Sequence, residues 1–174
     1  AIGNKILEGD KKREIYFAPG NGGTKSIGKN VNINVEEIEK LLEFAKNEKI
    51  DYTIVGPEVP LCMGIVDKFE DENLKIFGPR YEAAQFEKSK AFTKDFLKRH
   101  NIKTADYLES ENLDEAFNFA KALLDRDESV VLKADGLAAG KGVLIAESEE
   151  EVKEFLEDVL INGKFNEKKI VVEE

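Results

Sequence analysis

Along the first 79 residues the hydrophobic positions switch repeatedly between helical spacing and short continuous runs, and each switch marks an element. Ile2, Ile6 and Leu7 are spaced as on a helix that Gly9 stops. Residues 15–18, Ile-Tyr-Phe-Ala, read as a buried strand that runs into Pro19-Gly20-Asn21-Gly22-Gly23-Thr24, too rich in turn formers to be regular. Asn34 and Glu37 have capping-box spacing, and Ile38, Leu41, Leu42 and Ala45 give the helix they open an apolar face that lasts to about Lys49. Strands at residues 52–55 and 75–77, closed by Gly56-Pro57-Glu58 and Gly78-Pro79, flank a helix over residues 61–69. Strands alternating with helices predict an α/β unit with parallel pairing and right-handed crossovers, whose ligands gather at the carboxyl ends of the strands. Such a sheet would set Gly20, Asn21 and Thr24 on one rim with Gly56, Pro57 and Glu58.

After Pro79 the pattern changes, which predicts two domains, residues 1–84 and 85–174. A short helix at residues 81–86 leads to Ser89, placed to cap a second helix with Phe92, Phe96 and Leu97 as its apolar positions. Lys90, Lys94 and Lys98 lie four apart and share a stripe. Lys94 and Lys98 read as a solvated basic face, whereas Lys90, set against the dipole in the first turn, calls for an anionic partner. A strand at 105–108 and a helix at 113–124 with Ala116, Phe117, Ala120 and Leu124 inward come next. A helix at 149–160 with Val152, Phe155, Leu156 and Val159 inward precedes an apolar strand at 169–174 that ends on Glu173 and Glu174.

Between the last two helices lies Val130-Val131-Leu132-Lys133-Ala134-Asp135-Gly136-Leu137-Ala138-Ala139-Gly140-Lys141-Gly142-Val143, with a further apolar run behind it. It predicts a β-hairpin whose tip closes over phosphates, because glycines let backbone N–H groups approach an anion and Lys133 and Lys141 add point charges. The nucleotide loop G-x-x-x-x-G-K-[ST] does not fit, since Gly136 and Gly140 have only three residues between them and Gly142 stands where the hydroxyl would be. A plain glycine-rich turn with two solvated lysines is the competing reading. It explains neither the number of small residues nor a lysine inside the apolar run. Glu58 suits either a hydroxyl-rich substrate or a solvated turn, and Glu173 and Glu174 suit either an exocyclic amine or a polar strand edge.

Composition narrows the chemistry. The 174 residues carry 26 basic and 36 acidic side chains, a formal charge of −10, which disfavours general attraction to nucleic acid or an anionic membrane. One cysteine, Cys62, and one histidine, His100, exclude a disulfide framework, a soft-ligand metal site and a Ser/His/Asp centre, and fit a reducing cytoplasm. No apolar run approaches the roughly 20 residues a bilayer-spanning helix needs. The chain opens at Ala1 inside a helix with no capping residue ahead of it, so an upstream element is expected to be missing from this sequence.

Five segments in register, at residues 19–24, 53–61, 76–79, 89–97 and 133–143, together resemble the phosphoribosylamine–glycine ligase family of ATP-grasp enzymes, also called glycinamide ribonucleotide synthetases. The resemblance implies a partial, Rossmann-like pre-ATP-grasp substrate domain followed by the first part of an ATP-grasp domain. It implies ATP, with Mg²⁺ or Mn²⁺ held by ligands outside this chain, and small-molecule partners: ATP, glycine and 5-phosphoribosylamine, without nucleic acid or membrane. By position Lys90 and Lys133 would touch ATP phosphates, Gly136, Gly140, Lys141 and Gly142 would belong to a lid, and Glu173 with the backbone at Glu174 would read adenine. Gly56, Pro57 and Glu58 would help hold phosphoribosylamine, with Gly20, Asn21 and Thr24 nearby. The family begins before Ala1 and continues past Glu174, so the resemblance implies a fragment inactive by itself, with no catalytic residue of its own. Two rivals are a carboxylase-type ATP-grasp enzyme and a non-catalytic ATP-binding module.

Overall fold

The structure is a computed structural model that describes residues 1–10, 12–138, 140–166 and 168–174. It divides into the units Ala1–Tyr81 and Glu82–Glu174. In the second unit the hydrophobic periodicity carries through to the sheet. Strands β5 (Tyr107–Ser110), β6 (Val130–Ala134), β7 (Val143–Ala146) and β8 (Ile170–Glu173) form one antiparallel sheet in the order β5-β8-β6-β7. Val130, Leu132 and Ala134 alternate with Val131 and Lys133, so one face of β6 is wholly apolar. That face joins Ile170 and Val172 and the buried residues of α7 (Leu113–Leu124) and α8 (Glu149–Leu156) in the core of the unit. The opposite face carries Lys133 and Glu173, which lie diagonally across the Lys133↔Val171 and Val131↔Glu173 pairs.

Helix α7 has the predicted bounds, with the Asn112 side chain accepting from the Glu115 amide at 3.0 Å. The predicted helix at 149–160 ends instead at Leu156 and continues as a wider turn, Glu157–Ile161, that keeps Val159 buried. Strand β5 starts two residues later than the apolar run suggested, and β8 is an interior strand rather than an edge. The unit opens with α5 (Tyr81–Lys88), which begins in the preceding unit, and α6 (Lys90–Arg99). On α6 the sequence reading misassigned the inward face: Phe92 is exposed, while Ala91 and Lys94 are buried.

In the first unit α1 (Ile2–Gly9) precedes β1 (Tyr16–Phe17), which pairs in parallel with β2 (Lys29–Asn30). Strand β2 is polar and two residues long, so no periodicity announces it. A Cβ at Gly28 would lie 2.4 Å from the Ile15 carbonyl oxygen, so only glycine permits this approach. Helix α2 (Ile38–Asn47) starts later than the Asn34 signal suggests. Only half of the capping box forms: the Asn34 amide donates to Glu37 at 2.9 Å, while the Asn34 side chain accepts from Glu36 instead. The predicted helix at 61–69 is two helices, α3 (Glu58–Cys62) and α4 (Ile65–Asp71), broken at Gly64 with φ 81°. Strands β3 (Thr53–Ile54) and β4 (Ile76–Phe77) pair in parallel as expected, but in a sheet separate from β1. A common rim for the loops behind β1 and β3 therefore has no shared sheet to rest on. Ile38, Leu42, Ala45, Ile65, Val66 and Phe69 form this unit's core. Among the described residues no helix is long and apolar enough to cross a membrane.

Candidate functional site

The hairpin predicted from the sequence exists: β6 and β7 pair from Val130↔Ala146 to Lys133↔Val143, so Lys133 stands one residue before the strand gives way to the glycine-rich tip. Gly136 and Gly140 have φ of 84° and 76°, a region L side chains rarely adopt. A Cβ on Gly142 would come within 2.6 Å of the Ala138 Cβ, so the tip folds tightly on itself. Lys141 is exposed and its amide donates to the Ala138 carbonyl at 2.9 Å. Ala139, within the predicted lid, lies outside the described residues.

The root of this loop is tied to α6. Ser89 caps the helix, its Oγ accepting from the Phe92 amide at 3.0 Å. Asp135 adds a second cap: one carboxylate oxygen accepts from the amides of Lys90 and Ala91 at 2.6 and 3.2 Å, and the other from the Ser89 hydroxyl at 2.9 Å. A carboxylate over a helix N-terminus is favoured by the macrodipole. The anionic partner expected for Lys90 thus meets its backbone, while its ammonium donates to the Gly136 carbonyl at 2.9 Å.

Beside this anchor sits a cluster the sequence only half revealed. Glu173, on the sheet face away from α7 and α8, is 4% exposed and its carboxylate is shared by two ammonium groups, Lys133 on one oxygen and Lys94 of α6 on the other. Lys94 is 9% exposed, which overturns its expected place on a solvated face. Its ammonium also donates to the Thr104 hydroxyl at 2.8 Å and lies 5.2 Å from the centre of the Tyr107 ring. Burial pushes the Lys94 ammonium below the usual lysine range. Lys133 is pushed the same way by burial first, then by repulsion from Lys94 and Lys90. Lys94 and Lys133 pair with Glu173 and the Lys90 ammonium sits at the Gly136 carbonyl, so three lysines face two carboxylates, Glu173 and Asp135, and one positive charge is left in excess.

These donors fit an anion with several oxygens. They do not fit a divalent cation: the carboxylates here are taken by ammonium, amide and hydroxyl groups, and among the described residues no cluster of metal-ligating side chains occurs.

The remaining predicted residues behave differently. Glu174 is exposed and its amide donates to the Asp106 carbonyl at 3.2 Å. In the first unit the amides of Asn21, Gly23 and Thr24 donate to Thr24 Oγ1 and Asn21 Oδ1, at 2.7, 2.8 and 3.0 Å. The Thr24 hydroxyl lies 2.8 Å from Asn30 Oδ1, and Asn30 in turn donates to the Asn21 carbonyl. Gly20, with φ 76°, turns the chain into this self-bonded knot. Gly56 and Pro57 are exposed, and Glu58 is the first residue of α3, where a carboxylate is stabilised by the dipole without any ligand.

Lys94 and Asp135 are the members of the site that sequence reasoning missed. The signal for Lys94 was its i, i+3 spacing from Ala91 on the buried face of α6.

Two family models divide the whole chain between them: Phosphoribosylglycinamide synthetase, N domain, matches residues 1–87, and Phosphoribosylglycinamide synthetase, ATP-grasp (A) domain, matches residues 88–174. The chain belongs to the phosphoribosylglycinamide synthetase family. It is 46% identical to the phosphoribosylamine–glycine ligase of Clostridium acetobutylicum, an alignment that takes in 100% of this chain and 42% of that protein. The crystal structure of phosphoribosylamine–glycine ligase from Thermotoga maritima superposes with a TM-score of 0.70 at 32% identity, covering 99% of this chain and 40% of that one. The chain therefore spans about two fifths of the length of these relatives. A biotin carboxylase domain of the Hydrogenobacter thermophilus 2-oxoglutarate carboxylase gives a TM-score of 0.73 at only 17% identity, covering 99% of this chain and 41% of that one. Backbone shape is thus shared with a protein of very different sequence, and the family is decided by sequence. The fold is accordingly α/β, a pre-ATP-grasp unit with parallel strand pairs followed by the first part of an ATP-grasp domain.

Proposed function

We propose that the intact protein joins glycine to 5-phosphoribosylamine at the expense of ATP, giving glycinamide ribonucleotide, ADP and phosphate, in purine biosynthesis in the cytoplasm. Residues 1–84 serve as part of the substrate domain and residues 85–174 as the opening part of the nucleotide domain. The observation that carries the nucleotide assignment is the convergence of Lys90, Lys94 and Lys133 on Glu173 and the glycine-rich tip.

A glycine carboxylate oxygen attacks the γ-phosphorus, the bond to the β-phosphate oxygen breaks, and a glycyl phosphate forms with ADP as leaving group. The amine of phosphoribosylamine then attacks the acyl carbon, loses a proton and expels phosphate. Lys90 and Lys133 hold phosphate oxygens and compensate their charge. Gly136, Gly140, Lys141 and Gly142 close over the phosphates with water excluded. Glu173 accepts a hydrogen bond from the adenine amine, with the backbone at Glu174 beside it. Gly56, Pro57 and Glu58 border phosphoribosylamine, with Gly20, Asn21 and Thr24 shaping the neighbouring loop. Mg²⁺ or Mn²⁺, held by residues outside this chain, supplies further neutralisation of the phosphates.

ADP release by the intact protein tests this reading. It is expected to require glycine and phosphoribosylamine together; release driven by bicarbonate in place of glycine would overturn it in favour of a carboxylase-type activity. The 174-residue polypeptide by itself is expected to show no turnover in the same assay.

A further inference from the structure

Lys94 has no task in the account above, yet it is among the least exposed charged residues of the chain. A lysine is buried at a cost of several kcal/mol unless its charge is matched. Here the match is Glu173, and the asymmetry between the two lysines that share this carboxylate is informative. The side chain of Lys94 is 11% exposed and is held from two further directions, by the Thr104 hydroxyl and the Tyr107 ring. That of Lys133 is 30% exposed, stands at the end of β6 beside the glycine-rich tip, and has Glu173 as its ion-pair partner. Among the described residues one ammonium is held from three directions and the other by the carboxylate.

We infer that Lys94 is a positioning residue: it holds Glu173 by one carboxylate oxygen, so that the Lys133–Glu173 pair can open when a nucleoside triphosphate arrives. The inference rests on the nucleotide assignment proposed above and adds to it a residue that never touches the ligand. Opening the pair does two things together. Lys133 is transferred to phosphate oxygens, and the carboxylate oxygen it leaves becomes an acceptor for the amine of the base. Without Lys94 the same opening would strand a buried carboxylate, and ligand binding would have to offset that penalty. With Lys94 in place the carboxylate stays paired throughout, and base and phosphate recognition are coupled through one side chain.

The test uses the full-length enzyme and four variants: Lys94→Met, Glu173→Gln, the double variant Lys94→Met/Glu173→Gln, and Lys98→Met as an exposed control on the same helix. Lys94→Met is expected to raise KM for ATP about tenfold, leaving KM for glycine and phosphoribosylamine unchanged. With Glu173 neutralised no carboxylate needs a counter-ion, so adding Lys94→Met to Glu173→Gln is expected to change KM for ATP by less than about twofold, a non-additive cycle. An additive cycle, a parallel rise in all three KM values, or an effect of Lys94→Met no larger than that of Lys98→Met would overturn the inference. If Lys94→Met alone does not fold, the comparison of Glu173→Gln with the double variant decides by the same criterion. Failure of the functional reading is separable: it would show as absence of glycine-dependent ADP formation in the unaltered enzyme, while calorimetry of ATP binding to the variants would still read the role of Lys94.

Discussion

In the loop behind β1 the amides of Asn21, Gly23 and Thr24 donate to side chains within the loop, and Asn30 closes it from β2. In the loop behind β6 the amides of Gly136, Leu137 and Ala138 have no acceptor among the described residues, Lys90 and Lys133 stand beside them, and the neighbouring Asp135 carboxylate is turned onto α6. Both segments are rich in glycine, and from composition both looked able to hold a phosphate. Glycine supplies backbone freedom; it does not determine whether the donors so arranged remain available. In the first loop two short polar side chains, Asn21 and Thr24, accept from three backbone amides and fix a shape. In the second, Leu137 and Ala138 offer no such acceptor, and the donors stay available to a ligand. One loop is a structural knot and the other is suited to an anion.

The largest effects expected from this contrast lie in the second loop. Lys133→Ala in the intact protein should weaken ATP binding on the order of 10- to 100-fold, the worth of a charge-assisted contact, measured by calorimetry. Lys98→Ala, on the exposed side of α6, should change it by less than about twofold. Equal effects would remove the distinction between a ligand lysine and a surface one. Asp135→Ala comes next. It strips two amides of α6 and the Ser89 hydroxyl of their shared acceptor, and should lower stability by about 1–2 kcal/mol in thermal unfolding. It should also weaken ATP binding, because Lys90 is placed by that cap; unchanged affinity would show that the anchor is structural only.

What the sequence revealed depended on how local its cause was. Helix α7 carries its own cap at Asn112 and its own apolar stripe, and its bounds were read correctly. The β6–β7 hairpin was legible because its alternation and its glycines are contiguous. Strand β2 was invisible because Lys29 and Asn30 are strand only by virtue of pairing with Tyr16 and Phe17. The helix expected at 61–69 ignored Gly64, since the apolar spacing runs straight through it, and the backbone followed the glycine. Lys94 was misread for a longer-range reason. Its burial is permitted by Glu173, far along the chain on β8, and a single helix face cannot disclose a counter-ion supplied by a distant strand. Lys90 and Lys133, marked by their odd positions, lie near enough for the charge of one to act on the other.

The first loop should answer in stability alone. Gly20 has a left-handed φ of 76°, and a Cβ there would sit 2.3 Å from Asn30 Oδ1, an atom held in place by Thr24. Gly20→Ala should therefore lower stability by about 1–3 kcal/mol and leave ATP affinity unchanged.

Gly22→Ala is the smallest expected effect and the sharpest control. Nothing lies within 4 Å of a Cβ added at Gly22, and its φ is not in the left-handed region. A shift of no more than about 0.5 kcal/mol in unfolding, with ATP and phosphoribosylamine KM values unaltered, is expected for a knot held by Asn21, Thr24 and Asn30 rather than by Gly22. The informative failure is kinetic. If Gly22→Ala raised KM for phosphoribosylamine while unfolding stayed the same, the backbone at the tip of this loop would have to meet the substrate directly. The two glycine-rich loops would then differ in which ligand they approach rather than in whether they approach one.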